Sequence, residues 1–150
     1  MRRFSRIFAW TTLFFVAGAV LFFTKAAALP YKVAWPVLLL SLATFLSRRR
    51  ELLPFGFAFL FSAAGDAVGA RGLFIPQMAF FALAHVAYVC WFLPRARRRL
   101  RAVSLAVTVP LLVFLFAAIV PEAPFPAERI GVAVYGLVIA AMLYSALQYD

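Results

Sequence analysis

Two side chains able to move protons sit inside long apolar runs. Asp66 ends the stretch "FLFSAAGD" (59–66), and His85 lies in "AFFALAHVAYVCWF" (79–92). Hydroxyls share these surroundings: Ser62, one helical turn before Asp66 on the same face, and Tyr88, Tyr135 and Tyr144. A carboxyl group kept neutral by apolar neighbours is a proton donor, and an imidazole on the next helix can guide water or take up a proton. General acid–base chemistry is what these residue types offer. Other chemistries lack their parts. One histidine and one cysteine, Cys90, do not make a usual zinc set. "FSAAG" is not a Gly-x-Ser-x-Gly nucleophile elbow, and no glycine-rich loop has the spacing of a phosphate cradle. Neither a metal nor an organic cofactor is expected.

Each residue also has a plainer role available. Asp66 lies about one turn from the end of its run, where it could pair with Arg71 or cap a neighbouring helix. His85 could be a structural hydrogen-bonding link between helices. The setting argues for more. An ionisable group at the centre of a bilayer costs at least about 2.5–3.5 kcal/mol, so it turns toward protein or water. Gly65 and Gly69 form a small-xxx-small pair, which places Asp66 beside a close helix contact.

The elements that must hold these residues are membrane helices. The chain has 150 residues, 67% of them hydrophobic, with a mean hydropathy of +1.00. Soluble domains are nearer half apolar. The fold class is all-α: a polytopic membrane helix bundle, one domain, with about six spans at 7–24, 31–46, 52–70, 73–93, 103–120 and 130–147. Each approaches the roughly 20 residues a crossing helix needs. The second is short, and Pro36 in its first half predicts a distortion. "MRRFSR" and "KAAALP" around the first span resemble a signal peptide, but the long apolar stretch and the later spans favour a retained helix. The Pro-rich segment 121–129 reads as a stiff exposed turn.

The net charge of +10 does not describe a nucleic-acid surface. The arginines cluster between apolar runs. Eleven cations fall at the amino terminus (Arg2, Arg3, Arg6), in the second connection (Arg48, Arg49, Arg50) and in the fourth (Arg95, Arg97, Arg98, Arg99, Arg101). Four, Lys25, Lys32, Arg71 and Arg129, fall on the other side. This bias predicts a cell-membrane protein with both termini cytoplasmic. Its partners are then membrane lipids, with no nucleic acid.

The spans leave a geometric problem. On ideal straight helices His85 lies about 18 Å from the outer end of its span, and Asp66 is about 12 Å shallower, at 1.5 Å per residue. The two meet only through a tilt, shift or break, for which Pro76 is the candidate.

"FLFSAAGD" (59–66), "GLFIPQMAFFALAHVAYVCWF" (72–92) and "VYGLVIAAM" (134–142) together resemble the YhhN, or lysoplasmalogenase, family. Its pattern is Phe-Ser-x-x-Gly-Asp on one helix, His-x-x-Tyr on the next, and a later Tyr and Met spaced as Tyr135 and Met142 are. Lys32 resembles the lysine that opens the family's second helix. The resemblance implies a membrane hydrolase that cleaves the vinyl ether bond of lysoplasmalogens. The products are a fatty aldehyde and glycerophosphocholine or glycerophosphoethanolamine. It implies Asp66 as the acid or its partner, and His85 with Tyr88 positioning water or headgroup. Ser62, Tyr135 and Lys32 join them around a lysophospholipid substrate. It further implies eight helices with a second acidic Ser-Asp motif. This sequence reads as six, ending in "ALQYD" with Asp150 outside that motif's context, so a fragment or a shortened member is expected. Two alternatives to an active enzyme are an inactive family member and a non-enzymatic membrane protein, such as a small transporter or an assembly factor.

Overall fold

The computed structural model describes residues 2–23 and 33–149. Six α-helices follow in order: α1 (Arg2–Phe23), α2 (Ala34–Leu46), α3 (Leu53–Gly69), α4 (Phe74–Phe92), α5 (Arg101–Phe114) and α6 (Pro126–Ala146). There is no strand among the described residues. The chain is an all-α membrane helix bundle. Among the described residues four runs are long and apolar enough to cross a bilayer: Arg50–Gly69, Phe74–Arg95, Arg98–Glu122 and Pro126–Ala146. α2 is a shorter apolar helix.

Prolines and one glycine set several helix boundaries. Pro54 stands in the first turn of α3 and Pro126 in that of α6, where a missing N–H leaves no bond unmade. Phe125, just before Pro126, is extended at φ −112°, ψ 143°, as a residue before proline should be. Gly72 turns the chain between α3 and α4 at φ +73°, a conformation that glycine adopts without a steric penalty.

Several expected features differ. α2 begins at Ala34, so Pro36 sits in its first turn and causes no break. Pro76 likewise lies in the first turn of α4, which runs on to Phe92 unbroken. The Pro-rich segment is not one exposed turn. A 3₁₀ turn (Val120–Glu122) and the start of α6 absorb most of it, and the Arg129 Nε donates to the Ala123 carbonyl at 2.8 Å across the gap. The distortion lies instead in the fifth span. α5 carries Pro110 in its interior and passes into a π turn, Leu115–Ile119.

In space the helices form a row, α1–α2–α3–α4–α6–α5, in which α4 packs on both α3 and α6. The contacts are made by small residues. Ala58 and Ala84 are wholly buried, and Ala63 and Ala140 nearly so, whereas Leu, Val and Phe side chains point outward. That inversion of a soluble core is what a bilayer selects: helix contacts gain from close packing, and apolar exterior is solvated by lipid. Gly18 shows the closeness, since a Cβ there would lie 2.6 Å from the Pro36 Cα. Buried hydroxyls bond to backbone, as when the Ser41 Oγ donates to the Gly56 carbonyl at 2.9 Å and ties α2 to α3.

Candidate functional site

The site is built on the α3–α4 seam. Phe55 meets Trp91 with ring centres 4.9 Å apart, and Phe59 meets Tyr88 at 6.4 Å. Further along, Gly65 lies under the Phe81 ring, and Gly69 under the Gln77 amide. Each step along α3 is thus one step back along α4, and paired numbers add to about 146. In this antiparallel register Asp66 stands level with Phe80, and Ser62 with Ala84, beside His85.

The register revises the depth problem. Asp66 and His85 differ by about five residues along α4, or about 7–8 Å, rather than about 12 Å. No break in either helix is needed. At 100° per residue Asp66 projects within about 20° of both Phe55 and Phe59, the rings that pack on α4. Its side chain is half-buried.

His85 occupies a corner of α4, between the face that packs on α3 and the face that packs on α6. On the α4 wheel it falls between Phe81, which packs on Gly65 of α3, and Met78, which packs on Gly131 of α6. Its ring lies 5.6 Å from that of Tyr135 on α6 and 6.3 Å from that of Tyr88, centre to centre, both edge-on. Its Nδ1 lies 2.6 Å from the Phe81 carbonyl oxygen. A carbonyl can only accept, so Nδ1 carries the proton of that bond. In the uncharged ring Nε2 is then the acceptor, free to take a proton from water or a hydroxyl.

The structure brings the rings of His85, Tyr88 and Tyr135 together, whereas Ser62 and Asp66 lie on the neighbouring α3, Asp66 about 7–8 Å from the level of His85. Lys32 lies outside the described residues. Tyr144 is two to three turns beyond Tyr135 on α6, and its carbonyl accepts from Gln148. Gln77 is the residue that sequence reasoning missed. Its amide lies against Gly69, beside Asp66 on the seam. The signal was present: it is a lone amide in an apolar run, four residues before Phe81 and so on the same face. Among the described residues no group of three His, Cys, Asp or Glu could hold a metal.

A cleft of about 420 Å³ opens beside this corner. Gln77 and Phe81 form its α4 wall, Tyr135 and Gly136 belong to its α6 wall, and Leu115 and Ile119 of the π turn close its third side.

The fold defines the class: a polytopic all-α membrane helix bundle. The YhhN family model matches residues 24–150, and the chain belongs to the YhhN family. No curated protein and no solved structure matches it.

Proposed function

We propose that the protein is a lysoplasmalogenase-like hydrolase, acting on the vinyl ether bond of a single-chain phospholipid. Family membership supports the reading. The observation that carries it is the imidazole on α4, whose ring meets Tyr135 and Tyr88, beside the α3 helix that carries Asp66.

In this reaction the Asp66 carboxyl transfers its proton to the alkene carbon remote from the ether oxygen. The electron pair of the double bond forms the new C–H bond, and the cation is shared between the adjacent carbon and the oxygen. Water, guided by the His85 Nε2, attacks that carbon and gives up a proton to the imidazole. The hemiacetal then collapses: its hydroxyl gives its proton to the Asp66 carboxylate, the C–O bond to glycerol breaks, the glycerol oxygen takes the proton held by the His85 imidazolium, and the aldehyde leaves. One water is consumed, and Asp66 and His85 are both back in their starting protonation states. Gln77 and Ser62 supply polar contacts for the glycerol end, and apolar walls exclude competing water.

The same proposal places the protein in the cell membrane with both termini cytoplasmic, because eleven of its fifteen cations fall on that side. The lysophospholipid is then its substrate partner.

The test is release of fatty aldehyde from lysoplasmalogen by the purified protein in liposomes. Asp66→Asn keeps shape and removes the donor. Loss of about 10²-fold or more in rate, with insertion unchanged, is expected for a general acid. Full activity in Asp66→Asn rejects Asp66 as the donor, and no aldehyde from the wild-type protein rejects the hydrolase reading.

A further inference from the structure

The cleft beside the corner is more than a gap between helices. It lies in the angle between the α3-facing and α6-facing stripes of α4, because Phe81 and Gln77 touch α3 and Met78 touches α6. His85 occupies the same angle one turn further on. Tyr135 lines the cleft and also meets the His85 ring at 5.6 Å. Its lining is apolar apart from the Gln77 amide and the Tyr135 hydroxyl, so the polar groups belong to residues that also face Asp66's seam or the imidazole. A volume of about 420 Å³ falls in the range of small-molecule sites, which are mostly apolar with a few placed polar groups.

The third wall is a specialised piece of backbone. Pro110 cannot donate to the carbonyl of Ala106, and five residues on α5 widens into the π turn. Single π turns within α-helices are frequent at functional sites. This one directs both Leu115 and Ile119 into the cleft. The Leu115 side chain lies directly on Gly136, where a Cβ would collide with it. A glycine at that position lets the leucine close the wall between α5 and α6.

We propose that this cleft holds the hydrocarbon chain of the single-chain lipid whose ether bond is presented to Asp66 and His85, and that Leu115 sets how much chain it accepts. The identity of the lipid rests on the hydrolase reading; the apolar subsite and its gauge residue rest on the cleft.

The test uses saturated 1-O-alkyl lysophosphocholines, which lack the vinyl bond, with octyl and hexadecyl chains. Their binding to the full chain in nanodiscs is measured by native mass spectrometry. Leu115→Trp fills the cleft and should weaken hexadecyl binding about threefold to tenfold while sparing octyl binding. The effect is moderate because packing, not water exclusion, drives association inside a bilayer. Leu115→Ala enlarges the cleft and should shift the preference the other way. Val113→Trp, on the exposed lipid face of the same helix, should change neither. A chain-length profile indifferent to both Leu115 variants, or altered equally by Val113→Trp, overturns the proposal. Aldehyde release from the vinyl ether lipid is followed in parallel. Binding that tracks Leu115 without aldehyde release keeps the subsite and rejects the hydrolase. Aldehyde release with binding indifferent to Leu115 keeps the hydrolase and rejects the subsite.

Discussion

Gly65→Ala tests the seam on which the whole site depends. A Cβ at Gly65 would lie 2.9, 3.0 and 3.2 Å from three atoms of the Phe81 ring. Carbon atoms in good contact sit about 3.5–4.0 Å apart, so the ring must retreat by roughly half an ångström or more. Overpacking of this kind costs about 1–3 kcal/mol. Alanine recovers about 1 kcal/mol of helix propensity over glycine. The net expectation is about 0–2 kcal/mol of destabilisation. It falls at the low end if the ring can move, and it can: its other side borders the open cleft. The displaced ring then narrows that cleft. Gly65→Ala should therefore fold nearly as well as the parent yet bind a long-chain lysolipid less well. Equilibrium unfolding in mixed micelles gives the first quantity, and chain-dependent lipid binding gives the second. Two results would refute the reasoning. A loss above about 3 kcal/mol would show that Phe81 has nowhere to go. A gain near 1 kcal/mol with unchanged lipid binding would show that the ring does not lie against Gly65 at all.

Other perturbations read other parts of the bundle. Ser41→Ala removes the hydroxyl that bonds the Gly56 carbonyl across α2–α3; unfolding in micelles should show a loss of about 0.6 kcal/mol and no more than about 1.7, the span found for interhelical hydrogen bonds in membranes. Thr108→Val should be neutral or stabilising by about 1 kcal/mol in the same assay, because the buried Thr108 hydroxyl has no hydrogen-bond partner and its loss removes a desolvated polar group. For topology, Pro124→Cys in a Cys90→Ser background should react with a membrane-impermeant maleimide in intact cells, and Arg98→Cys only after lysis. The opposite pattern would invert the orientation drawn from the cations.

Much of the architecture was legible because a bilayer imposes it. Apolar runs of the right length became helices, and the small pair Gly65 and Gly69 became a close contact. What the sequence concealed was mutual register. Counting each span from its own end put Asp66 and His85 at depths about 12 Å apart, since every helix was treated as an independent rod. The turn at Gly72 and the ring pairs along the seam fix the offset between the rods, and no single helix carries that information. Prolines misled for a related reason. Pro36 and Pro76 looked like breaks, but each fell in a first turn, where a missing N–H has no consequence. Pro110, well inside its helix, marks the span that departs from α geometry. The aromatic residues on α6 were visible as letters only. That Tyr135 and not Tyr144 reaches the imidazole follows from the direction in which α6 runs beside α4.

α6 runs parallel to α4, and this has a chemical consequence. Phe92 meets Tyr149 and His85 meets Tyr135, so both helices advance together from the same end of the bundle. α3 runs the other way along the same α4. The candidate residues therefore come from a carboxylate in the C-terminal half of α3 and an imidazole and a phenol on two helices that run the other way. A carboxylate near a helix C-terminus feels the negative end of that helix dipole, whereas a cation there would be favoured. Asp66 stands three residues before Gly69, the last residue of α3, so the part this position plays can be tested by moving the acid along the helix. Moving the acid to the level of Ser62, as in the pair Ser62→Asp with Asp66→Ser, sets it one turn further from that end and nearer His85. Aldehyde release restored in the double variant would show that proximity to the imidazole governs the rate. Release abolished, with the fold intact, would show that the position near the end of α3 is itself required.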